Sequence, residues 1–194
     1  MRKQFDDVVA IADLSLTVDD GDVFVLLGQS GCGKSTALQL VNRMLDVDGG
    51  EVLVNGVDIR TIDPVVLRRG IGYVIQQIGL FPHRTVADNV GTVCTLVGWD
   101  RARTRARVAE ILDMVGLPAA KFAKRYPHQL SGGQQQRVGV ARALAVAPPI
   151  LLMDEPFGAL DPQIRRALQQ EFHIWVHDLG TTVVFVTHDV DEAT

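Results

Sequence analysis

Short apolar runs alternate with amphipathic stretches along this chain of 194 residues. The apolar runs of strand length are 22–28, 71–75, 150–153 and 183–186. They predict buried strands of a mainly parallel sheet. Apolar side chains recur at helical spacing in 35–45, 108–115 and 164–179, which predicts helices between the strands. The pattern therefore indicates an α/β fold.

Two further stretches alternate around turn residues, "TVDDGDVFVLLG" at 17–28 and "GGEVLVNGVDI" at 49–59. They predict a small antiparallel patch beside the parallel sheet. Between about 86 and 147 the pattern is mostly helical, and we interpret this part as an inserted helical subdomain. We expect one domain over residues 1–194.

Composition excludes several classes of protein. With 47% hydrophobic residues the chain can bury a core, and its net charge of −4 gives no basic field that would gather nucleic acid. The most apolar stretch, Val138–Met153, contains Arg142 and Pro148–Pro149, so it cannot supply a membrane span. Cys32 and Cys94 make no disulfide framework. We expect a soluble chain in a reducing cytoplasm.

The stretch "GQSGCGKST" matches the phosphate-loop pattern and stands between a predicted strand and a predicted helix. Its glycines let backbone N–H groups converge on an anion, Lys34 can reach the outer phosphates, and Ser35 can bind Mg²⁺. A plain glycine-rich turn is the alternative, and the flanking strand and helix disfavour it. The predicted ATP-binding residues are Gly28, Gln29, Ser30, Gly31, Cys32, Gly33, Lys34, Ser35 and Thr36.

Two carboxylates, Asp154 and Glu155, end the apolar run "ILLMDE". Ligand sites of open α/β sheets lie at such carboxyl ends of strands. Because successive side chains of an extended segment point to opposite sides, we expect different roles for the two acids. We expect Asp154 to bind Mg²⁺ and Glu155 to orient and deprotonate the attacking water. The alternative is a solvated acidic strand end.

The stretch "LSGGQQQR" predicts a second helix start that can bind an anion. Ser131 is a good N-cap, and Gly132, Gly133 and Gln134 would expose the first N–H groups of the helix. One ATP is already surrounded by its own phosphate loop, so the second site is explained if it closes on the γ-phosphate of a neighbouring molecule's ATP. That predicts a head-to-tail dimer. An ordinary capped helix is an interpretation that the residues leave open.

These motifs and their order resemble ATP-binding cassette (ABC) ATPases, over essentially the whole chain. The resemblance implies a P-loop NTPase fold of the RecA-like type, with ATP and Mg²⁺ as cofactors and ATP hydrolysis as the activity. It implies that Gln76 contacts Mg²⁺ and the attacking water, that Asp161 of "GALD" crosses a dimer interface, and that His188 of "VTHD" contacts the γ-phosphate. Lys34, Gln76, Glu155 and His188 are then the expected catalytic residues, and Ser35, Gln76 and Asp154 the metal ligands. Phe5 falls where the family stacks an aromatic residue on adenine; a core phenylalanine is the alternative.

The segment "GYVIQQIGLFPHRTVADNV" is similar to ATPase subunits of importers for osmoprotectants such as glycine betaine, carnitine, choline or proline. That resemblance implies a membrane permease whose coupling helix docks near Gln76–Val90, an indirect solute-binding partner, and a location on the cytoplasmic membrane face. The arginines of 101–107 suggest lipid headgroups, but their helical spacing favours a solvated face opposite Val108, Ile111 and Leu112.

Relative to the family pattern we expect both termini to be truncated, with a strand absent before "RKQF" and further strands absent after "THDVDEA". Two rival functions stay open. One is an ABC ATPase of DNA repair or translation that works without a permease. The other is a truncated cassette that binds nucleotide without turnover.

Overall fold

A computed structural model of the chain describes residues 1–158 and 160–189. The strands are β1 (Lys3–Phe5), β2 (Val8–Ile11), β3 (Val23–Leu27), β4 (Leu53–Val54), β5 (Val57–Asp58), β6 (Ile71–Val74), β7 (Ile150–Asp154) and β8 (Thr182–Thr187). The α-helices are α1 (Lys34–Val41), α2 (Pro64–Arg69), α3 (Val86–Val90), α4 (Thr92–Leu96), α5 (Arg101–Met114), α6 (Ala119–Phe122), α7 (Gly132–Leu144) and α8 (Pro162–Leu179).

A parallel four-stranded sheet organises the fold, in the order β3-β8-β7-β6. Its members are the four strands predicted from apolar runs, so that prediction is confirmed to within a residue or two at each end. The central strands β7 and β8 are almost fully buried, as expected for strands covered on both faces. All four carboxyl ends lie at one edge of the sheet, which is where a ligand site belongs in such folds.

Antiparallel pairing occurs in two small hairpins, β1–β2 and β4–β5. The second lies within 49–59, where the alternation predicted it. The prediction for 17–28 is wrong: residues 13–22 contain no strand, and among the described strands β3 pairs with β8 alone, in parallel. The apolar side chains of β3 belong to the main sheet. Their alternation correctly predicted a strand but did not show which strand it pairs with. The hairpin β1–β2 was not predicted: its second strand lies in the short apolar run "VVAIA" at 8–12, which was not among the runs assigned to strands, and its first strand contains the polar Lys3 and Gln4.

The described helices of 86–147 are α3 to α7, and they share one hydrophobic core with the sheet. Gly72 of β6 shows how closely α7 packs on it, because a Cβ there would lie 2.7 Å from the carbonyl oxygen of Ala143. That these helices form an inserted subdomain stays a prediction. No helix among the described residues is long and apolar enough to cross a membrane.

The predicted solvated face of α5 needs one correction. Arg101, Arg103 and Arg105 are exposed, and Val108 lies buried on the other side of the helix. Arg107 instead turns inward, where its Nε donates to the carbonyl of Ala145 at 2.9 Å. The helix α7 has just ended there, so its last carbonyls need donors, and Arg107 supplies them.

Candidate functional site

The phosphate-loop sequence forms a tight turn between β3 and α1. Lys34 is 9% exposed, and its Nζ donates to the carbonyl oxygens of Gly28 at 2.7 Å and Gln29 at 2.8 Å. The ammonium therefore lies over the loop, at the positive end of α1. Around it, Gln29, Ser30, Gly31 and Cys32 are exposed, while Gly28, Gly33, Ser35 and Thr36 are half-buried.

Gly33 is required by its surroundings. Its φ is 96°, and a Cβ at this position would lie 2.5 Å from the carbonyl oxygen of Ala10 in β2. The hairpin β1–β2 therefore abuts the phosphate loop at the residue that precedes Lys34. A side chain here would push apart the loop and the hairpin beneath it.

Ser35 and Asp154 meet at the carboxyl edge of the sheet. The Ser35 hydroxyl donates to Oδ1 of Asp154 at 2.8 Å, although 119 residues separate them in the chain. Asp154 is only 6% exposed, and burial raises the pKa of its carboxyl, with Glu155 adding to the rise and the Ser35 hydrogen bond and Lys34 opposing it. The Asp154 carboxylate and the Ser35 hydroxyl together supply two hard oxygens of the kind that bind Mg²⁺.

Glu155 lies at the centre of a second set of contacts. Its Oε2 accepts a hydrogen bond from Nε2 of Gln76 at 3.0 Å, and its Oε1 lies 3.2 Å from Nδ1 of His188. Three residues that are far apart in the chain thus meet, because β6, β7 and β8 end at the same edge. The expected strand alternation of Asp154 and Glu155 is wrong: Glu155 has left the strand and has a φ of 43°. This uncommon backbone conformation, rather than the strand pleat, directs its side chain.

The start of α7 forms a capping box, as the sequence indicated. The Ser131 hydroxyl accepts from the Gln134 N–H at 3.3 Å, and the Gln134 side chain accepts from the Ser131 N–H at 3.1 Å. Ser131 and Gly132 are exposed, and a Cβ on Gly132 would meet no atom within 4 Å. Gly133 is buried, where a Cβ would lie 2.9 Å from the Ile164 side chain. Gly133 thus permits packing, whereas Gly132 leaves the helix start open.

The two helix starts do not meet within one chain through hydrogen bonds. Ser131–Gln134 and the phosphate loop share none in the part of the chain that the structure describes. The start of α7 is exposed to solvent at Ser131 and Gly132. The loop with Lys34 lies instead at the carboxyl end of β3.

Phe5 and Asp161 have different surroundings from the main cluster. Phe5 lies on β1, is 41% exposed and has the Lys3 ammonium 5.3 Å from its ring centroid, so it is not a core residue. Asp161 is the exposed N-cap of α8, where its Oδ1 accepts from the Gln163 N–H at 2.9 Å. Ala159 of "GALD" and residues 190–193 of "THDVDEA" lie outside the described residues.

Arg165 is a residue of this region that the sequence analysis did not single out. One of its nitrogens lies 2.8 Å from Oδ2 of Asp189, and another donates to the carbonyl of Leu160 at 3.2 Å. It thus ties the residue after His188 to the loop that carries Asp161. The only signal in the sequence is the acid that directly follows His188, which is too common to interpret alone.

Comparison with known families settles the relationship of this site to others. The family model described as ABC transporter matches residues 11–158, which include the phosphate loop, Gln76, "LSGGQQQR" and both carboxylates. The chain belongs to the ABC transporter family. The predicted resemblance and the predicted fold class are therefore confirmed.

Curated ABC relatives are similar over the entire chain. The osmoprotectant import ATP-binding protein OsmV of Salmonella typhimurium is 50% identical over 193 residues, covering 100% of this chain and 50% of that protein. The glycine betaine uptake system ATP-binding protein YehX of Escherichia coli is 54% identical over 193 residues, covering 100% of this chain and 62% of that protein. The chain spans about half the length of the curated relatives it matches.

Among solved structures, the ATP-binding cassette MJ0796 has a similar fold. Its dimeric structure of a post-hydrolysis state bound to ADP and Pi has a TM-score of 0.86 and 35% sequence identity, and the match covers 99% of this chain and 86% of that one. The solved protein is thus an ABC cassette seen as a dimer with nucleotide.

Proposed function

We propose that this chain is the ATP-binding and ATP-hydrolysing subunit of an ABC importer. The observation that carries the proposal is the cluster in which Glu155 contacts both Gln76 and His188 while Ser35 contacts the neighbouring Asp154. These side chains come from the ends of three adjacent parallel strands and from the phosphate loop. A solvated acidic strand end would not bring them together.

The residues present fit a magnesium ion. Ser35 and Asp154 supply hard oxygens beside the loop, and the Gln76 amide oxygen is a third donor of the same kind. No group of three or more His, Cys, Asp or Glu residues that could hold a metal occurs among the described residues. This suits Mg²⁺, which proteins commonly hold through one or two carboxylates together with substrate phosphates. When bound, Mg²⁺ would neutralise charge on the β- and γ-phosphates.

The chain's own residues position the reaction. Lys34 and the N–H groups at the start of α1 bind the phosphates, for which Lys34 exchanges its two backbone carbonyl partners. Glu155 orients the attacking water and accepts its proton. The contact from Gln76 holds one oxygen of the Glu155 carboxylate, and His188 lies at the other. His188 would then contact the γ-phosphate of bound ATP.

The exposed start of α7 supports a proposal about the partner of this chain. We propose that Ser131, Gly132, Gly133 and Gln134 bind the γ-phosphate of ATP held by a second copy, in a head-to-tail dimer. Support comes from the open, exposed glycine at Gly132 and from the dimeric state of the similar cassette MJ0796. We propose that Phe5, which is exposed on the hairpin next to the loop, stacks on adenine and that the exposed Asp161 faces the second copy.

The transported solute is proposed from the relatives. OsmV and YehX are named for osmoprotectant and glycine betaine uptake, and a carnitine transport protein, OpuCA of Listeria monocytogenes, is 50% identical over 184 residues. We therefore propose import of a quaternary-amine osmoprotectant through a permease docked near Gln76–Val90. The chain would then work at the cytoplasmic membrane face as a peripheral subunit, with a solute-binding protein acting indirectly, and residues 86–147 would form the helical subdomain that meets the permease.

Glu155→Gln tests the assignment of the catalytic base. The variant keeps the size of the side chain but cannot accept a proton, so we expect unchanged ATP binding, loss of phosphate release and a nucleotide-bound dimer that persists on size-exclusion chromatography. Glu51→Gln is the matched control, since Glu51 is exposed and remote from the strand ends.

Undiminished steady-state hydrolysis by Glu155→Gln would overturn the assignment. A wild-type chain that binds ATP but releases no phosphate, alone and mixed with a full-length homologous cassette, would favour a binding-only role. Co-purification with a permease, rather than with nucleic-acid or ribosomal partners, separates the importer from the ABC ATPases of repair and translation.

A further inference from the structure

The backbone that follows Gln76 adopts a strained turn. Ile78 has a φ of 46° and Gly79 a φ of 58°. A β-branched residue in the left-handed region is a rare outlier, and such conformations persist only where the surroundings hold them. The turn directly follows the side chain that contacts Glu155. Ile78 lies two residues after Gln76, so contacts that hold Ile78 also restrict the backbone that carries Gln76.

Arg142 of α7 holds this turn. Its Nη2 donates to the carbonyl of Ile78 at 2.9 Å, and its Nη1 donates to the carbonyl of Gly79 at 2.6 Å. Burial lowers the pKa of the Arg142 guanidinium from its ordinary value, but arginine is not deprotonated in proteins, so the group is charged. A charged fork that bonds two successive carbonyls fixes both the place and the orientation of the turn.

A glycine one turn earlier on α7 completes the contact. A Cβ on Gly139 would lie 3.3 Å from Cγ2 of Ile78, a tight contact in which the Ile78 side chain would have to shift by a few tenths of an ångström. Gly139 and Arg142 lie three residues apart and so share one face of the helix. The turn thus packs against α7 where Gly139 has no side chain, and Arg142 binds it through two charge-assisted hydrogen bonds.

We propose that Arg142 is a positioning residue that makes Gln76 and the helix α7 move as one body. The inference rests on the proposed function, in which Gln76 serves the nucleotide of this chain and the start of α7 serves that of a second copy. Gly132 and Arg142 lie on one continuous helix, α7, which connects the start of the helix to the turn after Gln76. Closing or opening of the second site would then displace Gln76 relative to Glu155.

An ordinary role at a helix end is the competing explanation, because cations near a helix C-terminus are stabilising in general. Arg107 separates the two explanations. Its guanidinium also donates to two successive carbonyls, those of Leu144 and Ala145, but these belong to the end of α7 itself. Arg107 is therefore a structural cap, whereas Arg142 bonds a different segment.

We call the contact of Arg142 and Gly139 with the turn at Ile78 and Gly79 the clamp. Arg142→Met and Gly139→Ala test the clamp, and Arg107→Met is the matched control. We expect Arg142→Met to lower kcat for ATP by about tenfold or more, with KM changed by less than about twofold, since small misplacements of a positioned group are costly. Gly139→Ala should lower kcat and raise amide exchange of residues 75–80 in the same direction by smaller factors, because the Ile78 side chain has to shift only slightly. Amide exchange of residues 75–80 in the nucleotide-free protein should rise by about tenfold or more in Arg142→Met. Arg107→Met should lower Tm and leave both quantities at the wild-type level.

Gly139→Ala makes the test independent of helix stability, because alanine is the better helix former and loss of helix stability predicts no defect from it. If Arg142→Met does not fold, Gly139→Ala and Arg107→Met still decide the matter. The inference would be overturned if Arg142→Met and Gly139→Ala both kept wild-type kcat and wild-type amide exchange at residues 75–80. It would also be overturned if Arg107→Met lost as much kcat as Arg142→Met. If the wild-type chain hydrolyses no ATP, the proposed function fails, and the exchange measurement alone judges the clamp.

Discussion

Gly33→Ala is the perturbation whose cost follows most directly from the structure. A residue with a Cβ at the φ of 96° found there pays roughly 1–2 kcal/mol for the left-handed conformation. Its Cβ would also lie 2.5 Å from the Ala10 carbonyl oxygen, which is backbone and cannot rotate away. Forcing an atom into such a contact adds about 1–3 kcal/mol.

Gly31→Ala is the matched control for this experiment. Gly31 has a φ of 83°, similar to that of Gly33, but a Cβ there would meet no atom within 4 Å. Gly31→Ala therefore pays the conformational cost alone. We expect the free energy of unfolding of Gly33→Ala to be lower than that of Gly31→Ala by about 1–3 kcal/mol.

Thermal and urea unfolding without nucleotide measure the difference. For a chain of this size, about 1–3 kcal/mol corresponds to a Tm of Gly33→Ala lower by roughly 2–12 °C than that of Gly31→Ala. Because the contact would displace the loop next to Lys34, Gly33→Ala should also lose the stabilisation that MgATP confers on the wild type. Equal Tm values for the two variants would show that β2 does not support the loop as described.

The two cysteines should react differently, since Cys32 is exposed in the phosphate loop whereas Cys94 is fully buried with its thiol pKa raised by burial. In the native protein an alkylating reagent should modify Cys32 alone, MgATP should slow that reaction, and modification of Cys94 at a similar rate would contradict the packing. Asp154→Asn should raise the unfolding free energy of the nucleotide-free protein at neutral pH and remove the Mg²⁺-dependent part of its stabilisation by ATP. Folding raises the pKa of the Asp154 carboxyl above its ordinary value of 3.8, so between these two pKa values the native state binds more protons than the unfolded state. Wild-type stability should therefore fall as pH rises from 3.8 through the folded-state pKa. A pH dependence of Tm that is identical in wild type and Asp154→Asn would refute this account.

The parallel sheet was predictable because its strands are short apolar runs bounded by turns. The phosphate loop was predictable because all of its residues are contiguous in the sequence, between one strand and the helix whose first N–H groups bind the anion. The hairpin β1–β2 was not predicted, because its first strand contains the polar Lys3 and Gln4, and only its second strand, in the apolar run "VVAIA" at 8–12, carries a strand signal. The partner of β3 was also unpredictable from alternation alone, since pairing depends on a strand about 160 residues later in the chain.

The candidate site was predictable as a set of residues but not as a geometry. Motif order identified Gln76, Glu155 and His188, whereas their contacts depend on three strand ends meeting at one edge. The left-handed backbone at Glu155 has no signal in the sequence, because glutamate rarely adopts it. Arg142 was noted only for interrupting an apolar run; its partners lie 63 and 64 residues away, and no local pattern shows them.

The central claim is that each ATP is bound between the Lys34 loop of one copy and the start of α7 of another. Lys34→Ala disables the first half-site, and Gly132→Asp places a carboxylate in the second at an exposed position where a side chain meets no atom within 4 Å. In a head-to-tail dimer, a mixed pair of these variants contains one site with both defects and one intact site.

Phosphate release should therefore be measured for each variant alone and for an equimolar mixture. We predict little activity from either variant and recovery in the mixture toward about a quarter of the wild-type rate, because about half of randomly paired dimers are mixed and each has one intact site. A mixture no more active than the two separate variants, or full activity of Gly132→Asp alone, would contradict the account.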